Sequence, residues 1–139
     1  MKIIRTLFVA VLAIAVWTAQ SQADPKTQSI KRGKEVYANN CQSCHLENGE
    51  GVEGLNPPLA KSDYLMKNPK KAVDIILRGQ NEEIMVNGKK YSVMMPEQSY
   101  LSDTEIADVV NYISNSWGNK WKSAIKPEEV KERRKHTVE

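Results

Sequence analysis

The segment Cys41 to Gly51, CQSCHLENGEG, concentrates the residue types of this chain that could do chemistry. Two cysteines stand three positions apart, and a histidine and a glycine-rich loop follow them. They are the only cysteines among the 139 residues, and His136 is the only other histidine. A disulfide between Cys41 and Cys44 would close a very small loop and would constrain the unfolded chain little. These thiols are therefore expected to serve another purpose.

The order Cys41, two residues, Cys44, His45 is the attachment pattern of c-type haem. Two thiols one helical turn apart can each reach one of two neighbouring vinyl groups of the porphyrin, and the histidine then falls beneath the iron as an axial ligand. A structural zinc site needs four protein ligands, and the spare histidine lies in the charged tail. A thioredoxin-type pair needs a preceding strand and an alternating α/β chain, of which there is no sign. The sequence predicts one covalently bound haem c.

Residues 1–23 have the layout of a secretory signal peptide. Lys2 and Arg5 precede an unbroken apolar run, and a cleavage site is expected after Ala23. The apolar run is shorter than the roughly 20 residues of a spanning helix, so a retained membrane tether is the lesser alternative. We expect a periplasmic protein of residues 24–139 with no membrane span after cleavage.

The charge of the chain changes with this cleavage. The full sequence has 20 Lys and Arg, 17 Asp and Glu, and a formal net charge of +3. Cleavage removes two of the basic residues and none of the acidic ones, which leaves a net charge of +1. This balance does not suggest a nucleic-acid partner.

The chain after the signal is predicted to be mostly helical. After a short disordered lead, DPKTQ, a first helix begins near Ser29, and a second is signalled by Asn68, Pro69 and a terminating Gly79. The sequence Asn87-Gly88 predicts a two-residue hairpin turn. It would pair Ile84–Val86 with Lys89–Tyr91.

The final predicted helix is the most clearly marked. Ser102 and Glu105 form a capping box, and Gly118 stands where a terminating glycine is expected. One apolar face is predicted for this helix, formed by Ile106, Val110, Ile113 and Trp117. The tail beyond it is predicted to be a short charged helix at best, with its Lys and Arg run as a solvated face.

The apolar core looks thin for so much loop, so a large planar apolar cofactor is expected to fill the middle. Methionine is a common second axial ligand in electron-transfer haem proteins because it raises the reduction potential. The candidates are Met66, Met85, Met94 and Met95. Met94 and Met95 lie between the hairpin and the final helix, where Pro96 stiffens the backbone, and strand alternation separates the two only weakly.

The sequence resembles the class I monohaem c-type cytochromes, of the bacterial periplasmic type, over about residues 30–134. The matching segments are GKEVYANNCQSCH, NGEGVEGLNPPLAKSDYL, VNGKKY with MMP, LSDTEIADVVNYISNSWGN and PEEVKERR. The resemblance implies an all-α cytochrome c-like fold, with three to four short helices around a covalently attached haem and a small β-hairpin before the axial-methionine loop. The cytochrome c-like domain is expected over 24–139, with a core of about 30–119 and a short charged extension, 120–139.

The resemblance also implies roles for individual residues. Cys41 and Cys44 would carry the thioether bonds, and His45 would be the proximal ligand of the iron. The methionine directly before the proline would be the distal ligand, which favours Met95 and leaves Met94 as the alternative. A carbonyl of the Pro57-Pro58 segment would accept the imidazole N–H of the histidine.

The contact between a small and an aromatic residue where the terminal helices cross would be made by Gly33 and Tyr112. The chain departs from the family at Leu46, because many relatives have glycine after the histidine.

We expect a periplasmic one-electron carrier, not an enzyme, that exchanges electrons with a reductase, a dehydrogenase or a membrane oxidase. Such a protein would be a monomer or a subunit of a redox complex. The alternative is a dedicated cytochrome subunit docked to one oxidoreductase, for instance through the tail around Trp121. A gas-binding or peroxidatic haem protein is less favoured, because the methionine loop would close the sixth coordination position.

Overall fold

The computed structural model describes residues 23–136. The predicted signal peptide, apart from Ala23, lies outside the described residues. Within residues 23–136, no helix is both long and apolar enough to cross a membrane.

Two helices that cross closely form the centre of the fold. Helix α1 spans Pro25–Asn40 and helix α5 spans Asp103–Ile113. At the crossing, a Cβ atom on Gly33 would lie 2.0 Å from the carbonyl oxygen of Asp108 and 2.8 Å from Cβ of Tyr112. Only glycine allows this approach of the two backbones. The predicted contact between Gly33 and Tyr112 is therefore present.

The first helix begins earlier than predicted. The Asp24 carboxylate accepts hydrogen bonds from the backbone N–H groups of Lys26 and Thr27, and Pro25 occupies the first turn. Aspartate before proline is a strong helix start, since the side chain satisfies free N–H groups and proline has none to satisfy there. The prediction of a disordered DPKTQ lead was wrong.

Three shorter helices surround this centre. Helix α2 spans Gln42–His45, α3 spans Asp63–Lys67 and α4 spans Lys71–Arg78. Helix α3 was not predicted, and α4 begins beyond the expected cap at Asn68, whose carbonyl instead accepts the Lys71 N–H. Helix α4 ends at Gly79, as predicted.

A small antiparallel hairpin follows, with β1 at Ile84–Val86 and β2 at Lys89–Tyr91. The register pairs Ile84 with Tyr91 across the Asn87-Gly88 turn, as the sequence predicts. Val86 and Tyr91 are buried, so the hairpin has one face against the interior.

The capping box at the start of α5 is present, with Ser102 and Glu105 bonded reciprocally. The helix ends at Ile113, earlier than the terminating glycine predicted at Gly118. Trp117 lies beyond the helix with φ of 51° and packs against the rings of Tyr37 and Tyr112. The prediction that Trp117 continues the helix face was wrong.

The charged extension folds back onto the domain as helix α6, Pro127–Lys135. Ile125 and Val130 are buried. Arg133 pairs with Asp74 on α4, and Arg134 pairs with Asp103 at the start of α5. For these two arginines the prediction of a solvated face was wrong.

The core lies between α1, α4, α5 and α6. Its buried apolar side chains are Tyr37, Leu65, Val73, Ile76, Leu77, Leu101, Ile106, Ala107, Val109, Val110, Ile113, Ile125 and Val130.

The docking of α6 leads to a stability prediction. Val130→Ala is expected to lower the free energy of unfolding by about 2 kcal/mol, because it removes buried apolar volume. Lys131→Ala, on the exposed side of the same helix, is the matched control and should stay within about 0.5 kcal/mol of the parent. Guanidinium unfolding of the haem-loaded protein measures both. Equal effects of the two substitutions would show that α6 does not dock as described.

Candidate haem site

The attachment segment continues helix α1 into α2. The Cys41 N–H donates to the Tyr37 carbonyl at the end of α1, and the His45 N–H donates to the Cys41 carbonyl. The two cysteines are thus one helical turn apart, with His45 next along the same turn. The backbone hydrogen bonds of this turn therefore fix the relative positions of the three side chains.

The imidazole of His45 is held by the loop that follows. Nδ1 lies 3.0 Å from the carbonyl oxygen of Pro57, to which its N–H donates. This bond leaves Nε2 as the nitrogen with a free lone pair. Burial lowers the pKa of His45, and the bond to Pro57 opposes that shift only in part. The neutral ring is therefore favoured, which is the form that binds a metal.

The two thiols differ in their surroundings. Burial, with a smaller contribution from the neighbouring thiol, raises the pKa of Cys41 to about 11. Cys44 is exposed, and neither cysteine is in a disulfide.

A largely apolar cavity brings the predicted site residues together. Its lining includes all of the predicted site residues, namely Cys41, Cys44, His45, Pro57, Pro58, Met94 and Met95. The apolar walls come from several elements, with Leu65 from α3, Ile76 from α4, Val86 from β1 and Val109 and Ile113 from α5. The cavity therefore joins both halves of the chain.

The two methionines are held differently. The Met95 N–H donates to the Gln80 carbonyl at 2.8 Å, and its own carbonyl accepts the Gln80 N–H at 2.9 Å. Met95 is half-buried and packs against the core, whereas the Met94 side chain is 65% exposed. Both line the cavity. The geometry thus separates two residues that strand alternation separated only weakly.

Leu46 follows His45 in a strained backbone conformation. Its φ is 63° and its ψ is 170°, a region that is essentially restricted to glycine. The Leu46 carbonyl accepts a bond of 2.6 Å from the Tyr37 hydroxyl, which helps to hold the loop in place. Glycine, which the resemblance leads us to expect at this position, would adopt this conformation without strain.

The strain at Leu46 can be tested by substitution. Leu46→Gly is expected to raise the free energy of unfolding by about 1 kcal/mol. Strain of this kind costs about 1–3 kcal/mol, and the greater freedom of glycine in the unfolded chain offsets about 0.5–1 kcal/mol of the gain. Leu46→Ala is the control, because it shortens the side chain and keeps the strain. Thermal or guanidinium unfolding of the loaded proteins would contradict this explanation if alanine stabilised as much as glycine.

The sequence names no site residue in the polar part of the lining; for Tyr64 it leaves open a contact with a haem propionate and a role in loop packing. Tyr64, Asn68 and Lys71, at the junction of α3 and α4, also line the cavity. Helical spacing could not have grouped them, because Asn68 has a non-helical backbone between the two helices. Helix α3 itself had no strong sequence signal apart from Ser62, whose hydroxyl accepts the Leu65 N–H.

The residues present fit a haem. A planar apolar group matches the apolar walls, and His45 and Met95 supply an imidazole and a thioether, which are iron ligands in cytochromes. The Tyr64 hydroxyl is buried and has no hydrogen-bond partner among the described residues. A ligand with a carboxylate on one edge would supply the acceptor that the Tyr64 hydroxyl lacks. Fold and site together define a small helical haem protein.

Comparison with known proteins agrees with this class. Residues 30–117 match the family model "Cytochrome c". The chain is 38% identical to "Cytochrome c-552" of Thermus thermophilus over 110 residues, which are 73% of this chain and 83% of that protein.

Two further relatives are much longer than this chain. "Alcohol dehydrogenase (quinone), cytochrome c subunit" of Gluconobacter oxydans is 31% identical over 103 residues, 73% of this chain and 22% of that protein. "Gluconate 2-dehydrogenase cytochrome c subunit" of Pantoea cypripedii is 31% identical over 113 residues, 79% of this chain and 25% of that protein.

The chain belongs to the cytochrome c family. It has the cytochrome c fold with a small antiparallel hairpin, binds haem c covalently and functions in haem-mediated electron transfer.

Proposed function

We propose that this protein is an exported one-electron carrier that makes and breaks no substrate bond. The observation that carries the proposal is the convergence of the Cys41–His45 segment and Met95 on one apolar cavity. When bound, haem supplies a one-electron couple between ferric and ferrous iron. The protein's part is to hold the group, to keep both axial positions filled and to exclude water.

Each site residue has a proposed role. The thiols of Cys41 and Cys44 would hold the haem as thioethers, each through one vinyl group. His45 ligates the iron through Nε2, while the Pro57 carbonyl holds its ring orientation through Nδ1. Pro58 lines the cavity beside Pro57 and shapes this wall.

Met95 is proposed as the distal ligand, with Met94 as the alternative. The pair of backbone bonds to Gln80 fixes the main chain at Met95, and its side chain packs inward. Gly79 permits this approach, because a Cβ atom there would lie 2.7 Å from the Met95 carbonyl oxygen. Its φ of 77° also favours glycine.

The distal ligand can be identified by spectroscopy of the ferric protein. Met95→Ala is expected to abolish the near-infrared charge-transfer band between methionine sulfur and iron, because it removes the ligating atom. Met94→Ala is the matched control and should keep the band. The reverse pattern would assign the ligand to Met94.

The same variants test whether the sixth position is closed. The reduced parent protein should bind carbon monoxide slowly, since a protein ligand must first leave the iron. Met95→Ala should bind it at least about tenfold faster, as expected when a ligand barrier of about 1.4 kcal/mol or more is removed. Fast binding by the parent would instead favour a gas-binding or peroxidatic protein.

The periplasm is the proposed location, with export by residues 1–23 and cleavage after Ala23. The partners are proposed to be redox proteins there, such as a dehydrogenase, a reductase or a membrane oxidase. If the segment of residues 1–23 is not cleaved, it would remain as a membrane tether.

A second candidate function is that of a dedicated subunit of one dehydrogenase, which the names of two relatives favour. Docking through the tail around Trp121 stays a prediction, and this ring is partly buried against the core of its own domain. Isolation from the native membrane fraction and periplasm would distinguish the two. A shuttle is expected alone in the periplasmic extract, and a subunit is expected to co-migrate with a dehydrogenase.

A further inference from the structure

The haem cavity has a polar corner, formed by Tyr64, Asn68 and Lys71, where α3 meets α4. Tyr64 lies within α3 and Lys71 is the first residue of α4. Both line the cavity, as does the connecting Asn68. The corner contrasts with the apolar walls that α4, α5 and the hairpin provide.

The Tyr64 hydroxyl is buried, and no acceptor among the described residues takes its proton. Burying a hydroxyl without a partner costs free energy, so such groups are nearly always satisfied in folded proteins. An acceptor that belongs to the loaded protein is therefore expected at this position.

Lys71 makes the same corner electropositive. Its ammonium nitrogen lies 5.2 Å from the centroid of the Tyr64 ring. The Tyr64 hydroxyl oxygen, toward which the ammonium can donate a hydrogen bond, is the largest cause of a raised pKa of Lys71, so this side chain stays charged. An ammonium has three donors and no acceptor. It therefore cannot take the Tyr64 proton, and both residues present donors at one place.

Haem carries two propionate carboxylates on one edge of an otherwise apolar ring. We propose that the Tyr64 hydroxyl donates a hydrogen bond to a haem propionate and that the Lys71 ammonium pairs with the same carboxylate. The corner then sets the orientation of the ring and lowers the effective charge of the propionate. This inference rests on the proposed haem cavity and adds positioning residues to it.

Glu82 is the other charged residue of the cavity lining. Its carboxylate, together with that of Asp74, favours the charged form of Lys71. A propionate beside Glu82 alone would meet repulsion, whereas Tyr64 and Lys71 together supply two donors. The propionate is therefore expected at the corner between α3 and α4, where Tyr64 and Lys71 can both donate to it.

The first test compares two tyrosine variants of the haem-loaded protein. Tyr64→Phe keeps the ring and removes only the donor. At a fixed applied potential near the midpoint, the ratio of reduced to oxidised haem should fall about threefold, because an unbonded carboxylate is more negative and favours ferric iron. This fall corresponds to about 30 mV for a one-electron couple. Tyr100→Phe, on an exposed ring outside the cavity lining, should leave the ratio unchanged.

A spectroscopic readout distinguishes the proposed contact from a general effect on the fold. Resonance Raman spectra of Tyr64→Phe should show a shifted propionate bending band, while the bands of the haem vinyl and axial groups remain. A buried water as the partner of Tyr64 would leave the propionate band in place and would overturn the proposal. A shift in Tyr91→Phe, another tyrosine of the lining, with none in Tyr64→Phe would also overturn it.

The charge of Lys71 is tested separately. Lys71→Met should lower the reduced fraction and shift the propionate band, and Glu82→Gln should raise the reduced fraction and leave that band in place. If Lys71→Met leaves the propionate band unchanged, Lys71 does not pair with the carboxylate. Failure of the haem site itself would show differently, as loss of covalent haem absorbance in the parent protein.

Discussion

The close crossing of α1 and α5 at Gly33 is the constraint on which the rest of the structure depends. Helix α1 leads directly into the turn that carries Cys41 and His45, and α5 contributes Val109 and Ile113 to the facing cavity wall. A change in the distance between these helices would move the attachment segment relative to that wall. A Cβ atom at Gly33 would lie 2.0 Å from the Asp108 carbonyl oxygen, so any side chain there would force the two helices apart.

Polar groups at the crossing fix its register. The buried Asp108 carboxylate accepts bonds from Ser29 at 2.6 Å and from Arg32 at 2.6 and 2.8 Å. Asn111, one turn along, donates to Ser29 and exchanges bonds with the backbone of Ile125. A buried charge is tolerated only when it is paired in this way. One hydrogen-bond network therefore joins the helix crossing to the start of the C-terminal extension. Helix α6, which follows in that extension, holds α4 beside the cavity through the ion pair of Arg133 with Asp74.

The sequence predicted those parts whose signals are local. The capping box of Ser102 and Glu105 and the Asn87-Gly88 hairpin turn are short-range chemistry, and both are present. The cysteine and histidine pattern predicted the cofactor for the same reason, since one helical turn contains it. The end of α5 was wrong because Trp117 finds its ring partners, Tyr37 and Tyr112, only after the chain leaves the helix.

The remaining misses depend on tertiary contacts. Arg133 and Arg134 were predicted to lie on a solvated face, because nothing near them in sequence reveals Asp74 and Asp103 as partners. The role of Tyr64 stayed open for the same reason, because only the tertiary structure shows that this side chain lines the cavity. The lead before Ser29 is different, since Asp24 and Pro25 are a local signal that could have been recognised.

The fold holds the two sides of the haem cavity with unequal firmness. The attachment side is part of a continuous helix, its loop is held by the Tyr37 hydroxyl, and its histidine is held by Pro57. The methionine side depends on a single pair of bonds between Gln80 and Met95 and on the bond from Gln98 to Ile76. Covalent attachment therefore lies on the side that the core already fixes. With Met95 as the proposed distal ligand, an iron–methionine bond would add order to the opposite side, so retention of haem and closure of the sixth position would be separable properties of this chain.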